Sequence, residues 1–148
     1  MMKLMKITGL VGTAALALAT ATASRADDRL WIALNHAPGY DDIWVRPPFK
    51  GTDGFAHIWT KERFVTPRRG VVLAGITLQE VDCGNQRFRP LQTTPYADRA
   101  FQQAMPEESY PSSAWQYAMP DSLGELLVSL ACGHTPFPTS TTAQEVSP

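Results

Sequence analysis

Only two cysteines occur in this 148-residue chain, Cys83 and Cys132. Whether they are joined decides more about the fold than any other pair of residues. The answer depends on compartment, because thiols stay reduced in the cytosol and oxidise outside it. The amino terminus speaks to compartment. Met1 to Lys6 carries two lysines, an apolar run follows from Ile7 to about Ala19, and small residues continue to Ala26. This is the layout of a cleavable secretory signal peptide, with cleavage expected after Ala26 or, as the alternative, after Ala23. The apolar run is short of the ~20 residues that cross a bilayer, and Thr and Gly interrupt it. A lipid anchor would need a cysteine at the cleavage point, and the first cysteine is Cys83. The mature chain is therefore expected to be periplasmic or secreted, with no membrane span and no lipid anchor.

In that setting a Cys83–Cys132 disulfide is the expected state, with a free reactive thiol or an intermolecular bridge as the alternatives. The spacing is wrong for a C-x-x-C redox pair, and two cysteines alone do not complete a structural zinc site. A loop of about 50 residues closed in this way stabilises the fold by about 4 kcal/mol on chain-entropy grounds. That is a large share of the ~5–15 kcal/mol typical of a domain.

Removing residues 1–26 takes away Lys3, Lys6 and Arg25 and no acidic residue, which leaves a mature net charge of −4. A mildly acidic surface has no electrostatic reason to seek nucleic acid or anionic lipid, and Arg68-Arg69 reads as a solvated loop tip. The expected organisation is a signal peptide over residues 1–26, one domain over 27–134, and a Pro/Ser/Thr-rich disordered tail over 135–148.

Along the mature chain, Arg29–Leu34 reads as a first strand. The stretch 35–54 is crowded with Pro and Gly and leaves room for a short strand at Ile43–Val45. Alternation over Phe55–Phe64 predicts a strand, Pro67–Gly70 a turn, and Val71–Cys83 the main strand. Ile76 and Leu78 have one parity there and Val81 and Cys83 the other, so a bulge or break near Gln79–Glu80 is expected if all four point inward. Gly84-Asn85 turns the chain into a further strand over Gln86–Gln92. Ala97–Met105 is compatible with a short helix or a strand. Ser122-Leu123-Gly124-Glu125 fits a capping box, Leu123, Leu126, Leu127 and Leu130 form one stripe, and Gly133 supplies a stop, which predicts a helix over 122–132. The expected fold class is α+β: an antiparallel β-sheet with one amphipathic C-terminal helix packed on a face, and one disulfide.

No active site is legible. His36, His57 and His134 are far apart, and nothing in the sequence converges them on a carboxylate, so no metal site or other cofactor is expected. Asp41-Asp42 lacks Ca²⁺-loop spacing and reads as turn chemistry. Ser112-Ser113 has no nucleophile-elbow context. With no catalytic residue to assign, the chain is not expected to be an enzyme. Of the four tryptophans, Trp31 and Trp115 are expected in the core. Trp44, with its neighbour Tyr40, is the expected recognition residue in the Pro-rich region, because aromatic residues anchor interfaces.

Several segments carry a resemblance: Val81-Asp82-Cys83, Arg87-Phe88-Arg89, Tyr96-Ala97-Asp98, Trp115, Met119-Pro120-Asp121-Ser122, and Leu126 through Cys132. Together they resemble the surface-adhesin protein E-like family of small exported bacterial proteins, over roughly the carboxy-terminal half of the domain. The resemblance implies a helix packed on an antiparallel sheet, a Cys83–Cys132 disulfide, and an adhesin role in binding host extracellular proteins. The founding adhesin is a lipoprotein, whereas this chain has no lipidation cysteine. The function expected is that of a non-enzymatic envelope module that binds an envelope or host extracellular protein. The alternatives are a periplasmic inhibitor or immunity-type protein that blocks a hydrolase through a loop such as 37–54, and a small hydrolase.

Overall fold

A computed structural model of the chain describes residues 30–34, 39–110 and 113–138. The expected leader, His36, Ser112 and residues 139–148 lie outside the described residues. The strands are β1 (Ile32–Ala33), β2 (Tyr40–Val45), β3 (Phe49–Lys50), β4 (Ala56–Arg68), β5 (Val72–Asp82), β6 (Arg87–Tyr96), β7 (Glu108–Ser109) and β8 (Gln116–Tyr117). One helix follows, α1 (Leu123–Ala131). The strands form one sheet in the order β1-β2-β4-β5-β6-β7, with β3 paired to β4 and β8 paired to β6. Every pairing is antiparallel. The expected α+β architecture is the observed one.

Directly opposed residues share a face of a sheet, so the register sorts the side chains. Val45, Thr60 and Thr77 stand in one row, and Ala56 opposes Val81. This face is covered by α1, and Val45, Ile58, Val81, Leu127, Val128 and Leu130 form the buried core between them. Trp44, Lys61, Ile76 and Thr94 stand in a row on the other face, with Trp59 and Leu78 beside them. Ile76 and Leu78 therefore do not join Val81 in the core, and β5 needs no bulge to bring them there. The register shift between Leu78 and Gln79 instead leaves Leu91 of β6 without an opposed residue.

β4 is longer than expected and runs through Pro67 to Arg68. Its pairing with β5 is interrupted between Arg63 and Arg68, so the missing N–H of Pro67 breaks no ladder bond. The turn beyond it has positive φ at both Arg69 and Gly70 and is closed by Val71 N–H donating to the Arg68 carbonyl. That is the mirror-image turn whose twist suits a hairpin.

α1 is built as its sequence predicts. The Ser122 hydroxyl accepts from Glu125 N–H at 3.2 Å, while the Glu125 carboxylate reaches back to Asp121 N–H at 2.8 Å. At the other end His134 N–H bonds Ser129 O, Gly133 N–H bonds Leu130 O, and Gly133 has φ +72, which is a Schellman stop. The buried stripe is rotated slightly from the predicted leucines. Gly124, Leu127, Val128 and Leu130 are buried, and Leu123 and Leu126 flank them. Phe137 also packs on the core and Thr135 bonds Ser129, so the fold extends past the expected start of the tail.

Candidate binding surface

Cys83 leaves the end of β5 and Cys132 caps α1, and the two are joined with their Cα atoms 5.6 Å apart. The disulfide locks the helix across the central strand. Among the described residues, no helix lies over the sheet face opposite α1, and that face gathers a cluster of aromatic and cationic side chains. Trp31, Trp44 and Trp59 are all half-buried there. The Arg46 guanidinium lies 4.5 Å from the Trp31 ring centre. Lys61 Nζ lies 4.6 Å from the Phe101 ring and 5.8 Å from the Trp44 ring, and Arg63 stands 5.1 Å over Trp44. Phe101 meets Trp44 and Tyr96 edge-on, with ring centres at 6.3 and 5.3 Å. Cations held over aromatic faces are attracted by the ring quadrupole. Trp31, Arg46, Trp59, Lys61, Tyr96 and Phe101 line a groove of about 600 Å³, and Trp44 and Arg63 stand beside it, in contact with Lys61 and Phe101.

Phe101 comes from the segment 97–105, expected as a short helix or a strand. The segment is a loop. The Asp98 carboxylate accepts from the N–H groups of Ala100, Gln102 and Gln103, and these bonds hold Asp98 below the usual carboxylate range. The side chain takes up donors that a helix or ladder would otherwise use, and Phe101 sits at the bend with φ +58.

The two expected recognition residues lie on opposite faces. Trp44 belongs to the groove side. Tyr40 opposes Phe64 on the helix side, because the pairing of β2 with β4 shifts between Tyr40 and Asp42 and the extra residue, Asp41, inverts the alternation. Tyr40 lines a cavity of about 420 Å³ beneath α1 with Glu62, Thr77, Gln79 and Phe88. Its hydroxyl accepts from Arg68 Nη2 at 2.8 Å, and burial raises its pKa, with Glu62 adding to the effect. Burial also raises the pKa of Glu62, which accepts from the Thr60 hydroxyl at 2.8 Å.

Other expectations need correction. Trp31 and Trp115 are not in the core: Trp31 lies on the groove side, and Trp115 is half-buried against Phe55 with Arg87 and Arg89 over its ring. Arg68 and Arg69 are both exposed beside the turn, as expected of a loop tip, although Arg68 is the last residue of β4, stacks 3.8 Å from the Phe64 ring centre and bonds Tyr40. Arg69 pairs with Glu108 at 2.6 Å. Asp41 and Asp42 make no turn; they lie in β2 and pair with Arg99 and Arg63.

Residues 31–133 match the family model described as surface-adhesin protein E. The chain belongs to the surface-adhesin protein E family. The protein E match takes in both cysteines, all eight strands and the Gly133 stop, and so also the amino-terminal half, where the sequence resemblance is loose. No curated protein and no solved structure matches the chain. Among the described residues, no helix is long and apolar enough to cross a membrane.

Proposed function

We propose that the mature protein is a non-enzymatic module of the bacterial envelope, periplasmic or secreted, that binds a protein partner through the groove face of its sheet. The observation that carries this reading is the clustering of Trp31, Trp44, Trp59, Tyr96 and Phe101 with Arg46, Lys61 and Arg63 on the face that α1 leaves uncovered. Tryptophan, tyrosine and arginine are the residue types that dominate binding hot spots. The cations favour a partner segment that brings carboxylates together with apolar side chains. Membership of a family described as surface adhesins supports an adhesive rather than a catalytic role, and export follows from the leader read in residues 1–26.

The test uses the mature protein on a sensor surface with purified extracellular-matrix glycoproteins as analytes. Saturable binding is expected, and Trp44→Ala and Lys61→Glu should each weaken it tenfold or more, or about 1.4 kcal/mol. Met119→Ser, at an exposed residue beside the cavity beneath α1, should leave it unchanged. Binding indifferent to both groove substitutions would overturn the assignment of this face.

A further inference from the structure

At one end of the groove face, the turn from β3 to β4 brings three metal-ligating side chains to one point. Asp53 lies in the turn, His57 is the second residue of β4, and Glu80 opposes His57 from β5. His57 Nε2 stands 3.1 Å from Asp53 Oδ2 and 3.7 Å from Glu80 Oε1. One donor atom from each of the three lies within 4.8 Å of the others. A tetrahedral ion with ligand bonds of about 2.0–2.1 Å separates its donors by roughly 3.3–3.4 Å. The two spacings from His57 Nε2, 3.1 and 3.7 Å, bracket that value.

We propose that Asp53, His57 and Glu80 form a binding site for a divalent transition-metal ion of the zinc class.

Two further observations point the same way. Each carboxylate has one oxygen anchored outside the cluster and the other turned toward the imidazole. Asp53 Oδ1 accepts Phe55 N–H at 3.0 Å, and Glu80 Oε2 accepts Arg89 Nε at 2.6 Å. Outer partners of this kind orient metal ligands. The second observation is Gly51. A Cβ there would stand 2.5 Å from Asp53 Oδ1 and 2.8 Å from both Cε1 and Nε2 of His57. Only the absence of a side chain at position 51 leaves that space clear beside the donor nitrogen.

Charge and burial are consistent with the assignment. Glu80 is 3% exposed and is balanced by Arg89, which leaves the Asp53 carboxylate as the further acidic group beside the imidazole. Asp53 is 39% exposed, which leaves a fourth position open to water. One imidazole with two carboxylates suits zinc or its first-row neighbours better than Mg²⁺ or Ca²⁺, which take all-oxygen sites.

The test is titration of the tag-free mature protein with Zn²⁺ against a competing chromophoric chelator, with Co²⁺ as an optical substitute. One-to-one binding is expected, with a rise in Tm and a tetrahedral Co²⁺ absorption band. Asp53→Asn and His57→Ala should each weaken binding at least tenfold, and His134→Ala should not. Gly51→Ala keeps every donor and should also weaken binding, which separates loss of the site from loss of a ligand. Circular dichroism of each variant checks that it is folded. Absence of saturable one-to-one binding by the wild-type chain would overturn the proposal and leave His57 as the centre of an ion-pair network. Binding that survives Asp53→Asn and His57→Ala in folded protein would overturn it equally.

Discussion

Glu62 is 5% exposed beneath α1 and its pKa is raised, mainly by burial. An acid whose pKa is higher folded than unfolded contributes proton-linked stability that is complete below its unfolded pKa of about 4.3 and is lost as pH rises through the folded value. Gln cannot titrate. Glu62→Gln should therefore gain stability relative to the wild type between pH 4 and pH 8, with the two closest at the acid end. Urea denaturation of both proteins across that range reads the difference, in which the opposite contributions of Asp82, Asp98 and Glu108, whose pKa values are lowered, cancel. A difference independent of pH would show that Glu62 titrates in its ordinary range. At this scale the sequence was least legible. Trp44, expected as an exposed recognition residue, is half-buried on the groove side, and nothing in the sequence shows that Asp41 is a bulge residue, although the side of the sheet Tyr40 faces depends on it. His57 could not be joined to Asp53 and Glu80 either, since their meeting depends on the register of β4 against β5.

At the scale of elements, α1 was legible almost to the residue because its signals are local: a cap, a stripe and a stop within a dozen positions. Loop 97–105 was not, because its conformation follows from one carboxylate taking up several amides, and hydrophobic periodicity carries no trace of that. The helix also shows why its sequence includes a glycine in the first turn. A Cβ at Gly124 would lie 2.5 Å from Phe88 Cε1, so the bare backbone sets how closely α1 approaches β6. Gly124→Val should destabilise the fold by about 2–3 kcal/mol through overpacking, despite the modest helix-propensity gain of losing a glycine. Chemical denaturation would measure this, and a neutral outcome would mean that Phe88 swings aside at no cost.

For the whole molecule, the fold class was readable because alternation, turn residues and one capped helix all agree. The allocation of residues to the two faces was not, since both faces of β5 carry apolar side chains and only pairing tells them apart. The disulfide between the end of β5 and the end of α1 has a sequence separation of 49 residues. Replacing both cysteines by serine should cost about 2–4 kcal/mol, read as a lower urea midpoint that equals that of the wild type under reducing conditions. Equal midpoints for oxidised and reduced wild type would remove the disulfide from the account of stability.

The strands at the two ends of the sheet, β1 and β7, are each two residues long. A long bare edge offers its unpaired amides and carbonyls as a template on which another chain can lay down a strand. Edges this short offer almost nothing to copy. In a compartment where exported chains meet while still unfolded, that brevity guards against runaway strand addition and self-association, and it means that a partner has to recognise side chains, whose identity carries specificity, rather than backbone, which any sequence can match.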